Sequence, residues 1–256
     1  MPTTPDLWHH YGRERATRDR TVPRAFRWDW AQADGPGAEV LGDLGGRVVG
    51  ELGSGAGRHA AHLVAYHASA EVVAVDASPA QHARADGLYG HLAPRLNFVH
   101  AGAVEHLRGR AGAYDVLYSV FGAVDFTEPR ELLPVACAAL RPGGRLVFST
   151  LARHVGGAPA RPEVTATEIP ARTPGGAAVS MRRWVLAESV WVTALERSGF
   201  TGVRTDVLPV AGDREHAADT LLVRAFRAAG RGPGRQRPVS SPSRATTRPA
   251  RTTRSR

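Results

Sequence analysis

One stretch concentrates the chemistry this chain is equipped for: Val48-Val-Gly-Glu-Leu-Gly-Ser-Gly-Ala-Gly-Arg58, an apolar run leading into a glycine-rich turn. Gly53, Gly55 and Gly57 let the backbone turn tightly and let a ligand come close to the peptide groups. If a helix opens after them, its unpaired N–H groups and the positive end of its dipole face that ligand. Such loops serve nucleotide ligands of several kinds and also occur as plain strand-to-helix turns, so the loop alone does not name the chemistry. Asp76 narrows the choice. It ends a second apolar run, Glu71-Val-Val-Ala-Val-Asp76, where a carboxylate can accept both hydroxyls of a ribose. The competing role, capping a helix that begins at Pro79, falls more naturally to Ser78.

These residues require a scaffold that sets two strand ends side by side. Apolar runs at 47–52, 71–76, 96–100, 114–119 and 145–149 alternate with segments of helical period at 58–69, 79–90, 104–110 and 128–140. Strands joined by crossover helices predict an α/β, doubly wound, mostly parallel sheet with its ligand at the carboxyl ends of the first strands. Residues 152–184 break the rhythm with prolines and the turn signal Thr173-Pro-Gly-Gly176, and read as an inserted loop or hairpin on the substrate side. A helix at 187–198 and strands at 203–208 and 220–226 follow. Their hairpin-length link implies antiparallel pairing, giving a Rossmann-like seven-stranded sheet with the last strand antiparallel. Residues 1–41, polar but carrying Trp8, Tyr11, Phe26, Trp28 and Trp30, read as a cap of one or two short helices.

The 256 residues, 43% of them hydrophobic, suit one core with decorations. The net charge of +9 invites a nucleic-acid reading, but residues 230–256 hold eight arginines and no acid, leaving about +1 for everything before them. There is no lysine at all. Nucleic-acid binding by the folded part is therefore disfavoured. The segment 230–256 mixes Arg with Pro, Ser, Thr and Gly, cannot offset its ordering entropy by burial, and reads as a disordered tail behind a 1–229 domain. A single cysteine, Cys137, excludes an internal disulfide. No signal-peptide pattern and no apolar run long enough to span a bilayer are present, so a cytoplasmic enzyme without membrane association is expected.

Glu51 just ahead of the glycines, the Gly-x-Gly-x-Gly form of the loop with Arg58 following, and a downstream Leu140-Arg-Pro-Gly-Gly144 set this chain apart from nicotinamide enzymes. Together with Val75-Asp-Ala-Ser-Pro79 and Tyr114-Asp-Val-Leu-Tyr-Ser119, these segments resemble the ordered motifs of class I S-adenosylmethionine-dependent methyltransferases, over roughly residues 40–226. The resemblance implies S-adenosylmethionine as cofactor and S-adenosylhomocysteine as product. It implies that Glu51, Gly53, Ser54, Gly55 and Gly57 lie at the methionine part, Asp76 and Ala77 at the ribose, Gly102 and Ala103 at the adenine, and Ser119 where cofactor and acceptor meet. Position 102 departs from the family, which often has an acid there to accept from the adenine amino group.

Methyl transfer from a sulfonium is an in-line displacement that needs alignment and a dry pocket more than an acid–base pair. If the acceptor is a hydroxyl, His9, His10, Asp125 and His154 are the candidate bases by position. His59, His62 and His67 spread around one helix with no carboxylate or cysteine cluster, so no metal is expected. Trp8 and Tyr11 share a helix face, and an N-terminal segment in such a family often folds over the cofactor, where aromatic faces suit a sulfonium. The expected acceptor is the O, N or C atom of a small molecule, as in a biosynthetic tailoring step. The alternatives are an RNA or protein methyltransferase docking through the basic tail, and a non-catalytic module that only binds the cofactor.

Overall fold

The computed structural model describes residues 6–11, 20–69, 71–210 and 218–229. Residues 12–19 of the expected cap and the tail at 230–256 lie outside the described residues. The apolar runs form β1 (Val48–Leu52), β2 (Glu71–Asp76), β3 (Leu96–His100), β4 (Tyr114–Val120) and β5 (Leu140–Leu151). The hairpin strands β6 (Thr167–Arg172) and β7 (Ala178–Arg183) follow, then β8 (Phe200–Leu208) and β9 (Thr220–Arg227). Seven of these strands make one sheet in the order β3-β2-β1-β4-β5-β9-β8. Neighbours run parallel from β3 to β5, and β9 is antiparallel to both β5 and β8.

The helices α1 (Arg58–Tyr66), α2 (Pro79–Tyr89), α3 (Ala103–Leu107), α4 (Ala123–Phe126), α5 (Pro129–Ala139) and α6 (Glu188–Arg197) connect the strands. Burial on both faces explains why the central strands are continuously apolar rather than alternating. One face holds Val49, Leu63, Val72 and Tyr118 under α1, and the other holds Leu52, Leu117, Leu133, Phe148 and Trp191 under α5 and α6. Each such side chain, removed from water, contributes roughly 1.5–3 kcal/mol.

Local detail departs from the sequence pattern where tertiary contacts outweigh it. The cap is not helical over its described length: residues 6–11 are successive turns and only Ala38–Leu41 winds, as a short 3₁₀ turn. Phe26 and Trp28 are core residues beside Tyr118. β5 begins at Leu140 rather than 145, because Leu140 pairs with Tyr114 before a register shift. Asp115 fixes that junction, accepting from the Val48 N–H at 2.9 Å, from Arg141 at 2.5 Å and from Arg47 at 3.4 Å. Burial alone would raise Asp115, but these partners outweigh it and hold its carboxyl below the ordinary value. α3 stops at Leu107, β8 starts at Phe200, and the four-residue α4 has no periodic signal to announce it. Among the described residues no helix is long and apolar enough to cross a membrane.

Candidate active site

The glycine turn is held from both sides and open at its centre. The N–H groups of Gly53 and Ser54 both donate to the Val75 carbonyl, at 2.8 and 3.1 Å, which staples the turn to β2. A Cβ on Gly53, where φ is +78°, would stand 2.2 Å from the Ala123 nitrogen. A Cβ on Gly57 would stand 2.5 Å from the Phe98 ring. Both glycines therefore permit close packing. Gly55 is different: a Cβ there would meet nothing nearer than Gln81 Oε1 at 3.9 Å, so its backbone borders open space.

Gly55 donates its N–H to Asp76 Oδ2 at 2.7 Å, and Ser78 donates to Asp76 Oδ1 at 2.8 Å. A carboxylate has about four acceptor positions, so each oxygen retains capacity for one hydroxyl of a vicinal pair. Burial raises the Asp76 carboxyl above its ordinary value and the nearby Asp6 carboxylate adds to this, against the two N–H donors and His100. Ser78 caps α2 as its sequence position predicts, accepting from the Gln81 N–H.

Glu51 lies beneath the turn. Its carboxyl accepts the Ala60 N–H at 3.1 Å in the first turn of α1, and His59 Nδ1 stands 3.7 Å from its other oxygen. Burial raises its pKa, and Tyr118, its register partner on β4, is pushed well up by burial and by Glu51 together. Ser119 is fully buried and its hydroxyl donates to the Leu52 carbonyl at 2.8 Å, tying β1 to β4. Gly102 caps α3, with open space where a side chain would start, and Ala103 is buried behind it. Ala77 is exposed at the rim, its carbonyl 3.2 Å from His100 Nε2.

The cap crosses this region. Asp6 accepts from the Ser78 hydroxyl and the Ala80 N–H, and Gln81 Nε2 donates to the carbonyls of Trp8 and Tyr11, at 2.8 and 2.9 Å. The Trp8 ring packs edge-on against Phe126, 4.5 Å between centroids. Tyr11 contributes mainly its carbonyl, since its ring is 61% exposed. His10 Nε2 lies 3.0 Å from the Thr173 carbonyl, so the cap also meets the turn of the β6–β7 hairpin. At the mouth of β4, Phe121 adopts a positive φ of 46°, a conformation that costs a non-glycine residue about 1–3 kcal/mol, and sets its ring 5.0 Å from Trp30. Asp125 is fully buried and accepts from Arg183 Nε and Nη2, at 3.1 and 2.6 Å.

Residues 49–144 match the family described as a methyltransferase domain. Over 117 residues the chain is 31% identical to a ubiquinone biosynthesis O-methyltransferase from Cronobacter sakazakii, covering 46% of this chain and 47% of the relative. The chain thus spans about half the length of the curated relatives it matches. A crystal structure of an S-adenosylmethionine-dependent methyltransferase from Mesorhizobium loti superposes with a TM-score of 0.51 at 22% identity, over 73% of this chain and 94% of that one. The 1,6-didemethyltoxoflavin-N1-methyltransferase of Burkholderia thailandensis, solved with its acceptor and S-adenosylhomocysteine, gives 0.50 at 22% identity over 72% of each chain. Residues 49–144 thus carry the methyltransferase-domain match, and the chain has the fold of S-adenosylmethionine-dependent methyltransferase structures. The strand order and the antiparallel β9 are the fold of those structures.

The residues named from sequence separate by position. Gly53, Ser54, Gly55, Gly57 and Asp76 converge on one cleft, while Glu51 and Ser119 sit behind it and hold its walls. Of the candidate bases, Asp125 is engaged by Arg183 and His10 by the hairpin turn. His9 lies against the His10 ring, 4.9 Å between centroids. His154 is partly exposed, and burial followed by the charges of Arg161 and Arg183 lowers its pKa, favouring the neutral ring a base requires. Gly122 was missed: a Cβ there would stand 2.6 Å from the carbonyls of Leu52 and Gly53. The only sequence signal for it is a glycine just past a buried strand. A cavity of about 540 Å³ among Arg24, Arg27, Glu39, His62 and His67 lies at the opposite rim of the sheet and contains none of these groups. Among the described residues no cluster of His, Cys, Asp and Glu is grouped to hold a metal ion.

Proposed function

We propose that this chain transfers a methyl group from S-adenosylmethionine to an oxygen, nitrogen or carbon of a small molecule. The observation that carries the reading is the joined pair at the strand ends: Gly55 with open space before its backbone, bonded to an Asp76 carboxylate that keeps capacity for two hydroxyls. That pair fits the ribose of the cofactor, with the Gly53–Gly57 turn at its methionine portion and the 102–103 backbone at its adenine. Bound S-adenosylmethionine supplies an electrophilic methyl on a sulfonium. The protein then has to align the acceptor and keep water out.

Closure of the cleft favours a small acceptor. The cap, held by Asp6, Gln81 and the Trp8–Phe126 contact, lies over one side, and His10 joins it to the hairpin on the other. A site bridged by cap and hairpin in this way suits a metabolite more than an RNA or protein surface. The names of two relatives, an O-methyltransferase of ubiquinone biosynthesis and an N-methyltransferase of a small heterocycle, point the same way. Where the acceptor is a hydroxyl, His154 is the base this reading assigns, since it is the candidate whose ring is kept neutral and is not tied to another element.

The test is calorimetric titration with S-adenosylhomocysteine and with NAD, followed by assays of S-adenosylhomocysteine production against pools of metabolites, peptides and RNA. The expected outcome is binding of S-adenosylhomocysteine, little binding of NAD, and turnover confined to the metabolite pool. Preference for NAD would overturn the cofactor assignment. Turnover on RNA or peptide alone would overturn the small-molecule assignment, and cofactor binding without turnover on any pool would favour a binding module.

A further inference from the structure

The acceptor side contains a buried cation that the methyl-transfer reading leaves unexplained. Arg183, at the end of β7, is 7% exposed, and its guanidinium lies 5.2 Å from the ring centroids of both Trp30 and Phe126. It spends one Nε and one Nη2 donor on Asp125 Oδ2. A guanidinium has five donors, and Nη1 has no hydrogen-bond partner among the described residues. On the other side of the pair, the fully buried Thr150 hydroxyl lies close enough to the Asp125 carboxylate to favour its charged form. Burying an ion pair costs desolvation of both charges, and a structure rarely leaves its remaining donors unmet without a use for them.

Placement gives that use. Asp125 and Phe126 belong to α4, whose first residue, Ala123, packs on Gly53 of the cofactor turn. α4 rises only about 6 Å from end to end, so the guanidinium is within one small molecule's length of the methyl-donor cleft. Trp8, Phe126, Arg183, Trp30 and Phe121 form a continuous row of planar groups along the mouth of β4, each within 5.2 Å of the next. The charges within the row are Arg183 and Asp125, which is already committed to it, and both Arg183 and Arg161 are near enough to His154 to lower its pKa. Aromatic groups gathered in this way favour a further planar ring, and the end of a fixed guanidinium, with one N–H of Nη1 beside the remaining N–H of Nη2, takes a carboxylate.

We propose that Arg183, fixed by Asp125 and flanked by Trp30 and Phe126, selects the acceptor, and that the acceptor is a planar aromatic small molecule bearing a carboxylate. The proposal rests on the methyltransferase reading for the identity of the neighbouring cleft, but binding of the anion does not require the cofactor. The probes are 3,4-dihydroxybenzoate and its methyl ester, which share a ring and differ in charge, titrated into the full-length protein with and without S-adenosylhomocysteine. The acid should bind at least about tenfold more tightly than the ester, which is about 1.4 kcal/mol. Arg183→Lys keeps the ion pair but loses the planar fork, and should cut that preference to under about threefold. The double variant Asp125→Asn with Arg183→Gln, which strands no buried charge, should abolish it. In both variants S-adenosylhomocysteine affinity should stay within about twofold, which separates acceptor selection from collapse of the site. Equal binding of acid and ester, failure of both to bind, or a preference that survives in either folded variant would overturn the proposal. Failure of S-adenosylhomocysteine to bind the unaltered protein would overturn the cofactor reading alone, because the comparison made without it still decides Arg183.

Discussion

The halves of the site proposed for the cofactor and for the acceptor are built by different means. The cofactor half is a contiguous turn, residues 53–57, plus one carboxylate at the next strand end, and its contacts are made by backbone N–H groups. The acceptor half draws Trp8, Trp30, Phe121, Asp125, Phe126 and Arg183 from four separate stretches of chain and joins them through side chains. Backbone-made sites need glycine at fixed spacing and leave a mark in the sequence. Side-chain sites need only that the fold bring compatible groups together.

The comparison breaks most severely at the contact that joins the halves. In Gly53→Ala the new Cβ would meet the Ala123 nitrogen at 2.2 Å, backbone against backbone, at a φ that side chains rarely adopt. Strain and overpacking together should cost roughly 3–5 kcal/mol of stability. Affinity for S-adenosylhomocysteine should fall below detection and Arg183 should lose its acceptor selectivity in the same variant. Denaturant melts and calorimetry check both, and a stable variant that keeps its affinity would separate the two halves.

A smaller effect isolates the cofactor half. Asp76→Ala should weaken S-adenosylhomocysteine binding by about 1.5–3 kcal/mol, because two ribose hydroxyls lose a charged acceptor. The acid–ester preference should be untouched. The same carboxyl sets a pH dependence. Because its folded pKa lies above the ordinary 3.8, affinity that depends on the ionised form is present at neutral pH and is lost as pH falls through that raised value, earlier than an ordinary aspartate would dictate. For stability of the free protein the sign is opposite: the contribution is greatest below 3.8 and is lost as pH rises through the folded pKa. Titration of affinity against pH in the unaltered protein and in Asp76→Ala checks this, and an identical profile in both would remove Asp76 from the ribose.

The same contrast explains what could be read from the chain. The five parallel strands, the Ser78 cap and the cleft of Gly53, Gly55, Gly57 and Asp76 were legible because periodicity and glycine spacing encode them directly. Glu51 was expected at the methionine part of the cofactor, and its carboxyl accepts from the first turn of α1, an orientation that an acid beside a glycine loop does not announce in sequence. Asp125, a candidate base by position, is paired with Arg183, which is remote in sequence, and nothing local announces the pair. The cap was expected to be one or two short helices, but Phe26 and Trp28 are set by the core they fill rather than by helical propensity.

A gain is expected at the adenine end. The space beside Gly102 is open, so a side chain there meets no protein atom within 4 Å, and the residue already occupies the N-cap of α3 with no side chain to cap it. Gly102→Asp should add both a capping acceptor and the adenine contact that the resemblance leads one to expect, tightening S-adenosylhomocysteine binding by on the order of 1 kcal/mol. Calorimetry decides it. An unchanged affinity with a raised melting temperature would mean that the carboxylate caps α3 without reaching the adenine.

The smallest effect should come from the charge at the carboxyl end. β9 ends at Arg227, and residues 230–256 contribute eight arginines and almost no apolar side chain. Cutting the chain after Ala229 should therefore change stability and turnover on a small acceptor by no more than about 0.5 kcal/mol, the range of substitutions remote from packed features. The arginines should nevertheless give the full chain weak binding to RNA that falls steeply with salt, since each neutralised phosphate releases counterions. Both halves of the site would be indifferent to that binding. Turnover of the full and shortened chains on a small acceptor and on RNA, at low and moderate salt, makes the comparison. If the full chain methylates RNA productively and the shortened chain does not, the arginines are a docking arm, and the cap and hairpin bridged by His10 would have to part to admit a nucleotide.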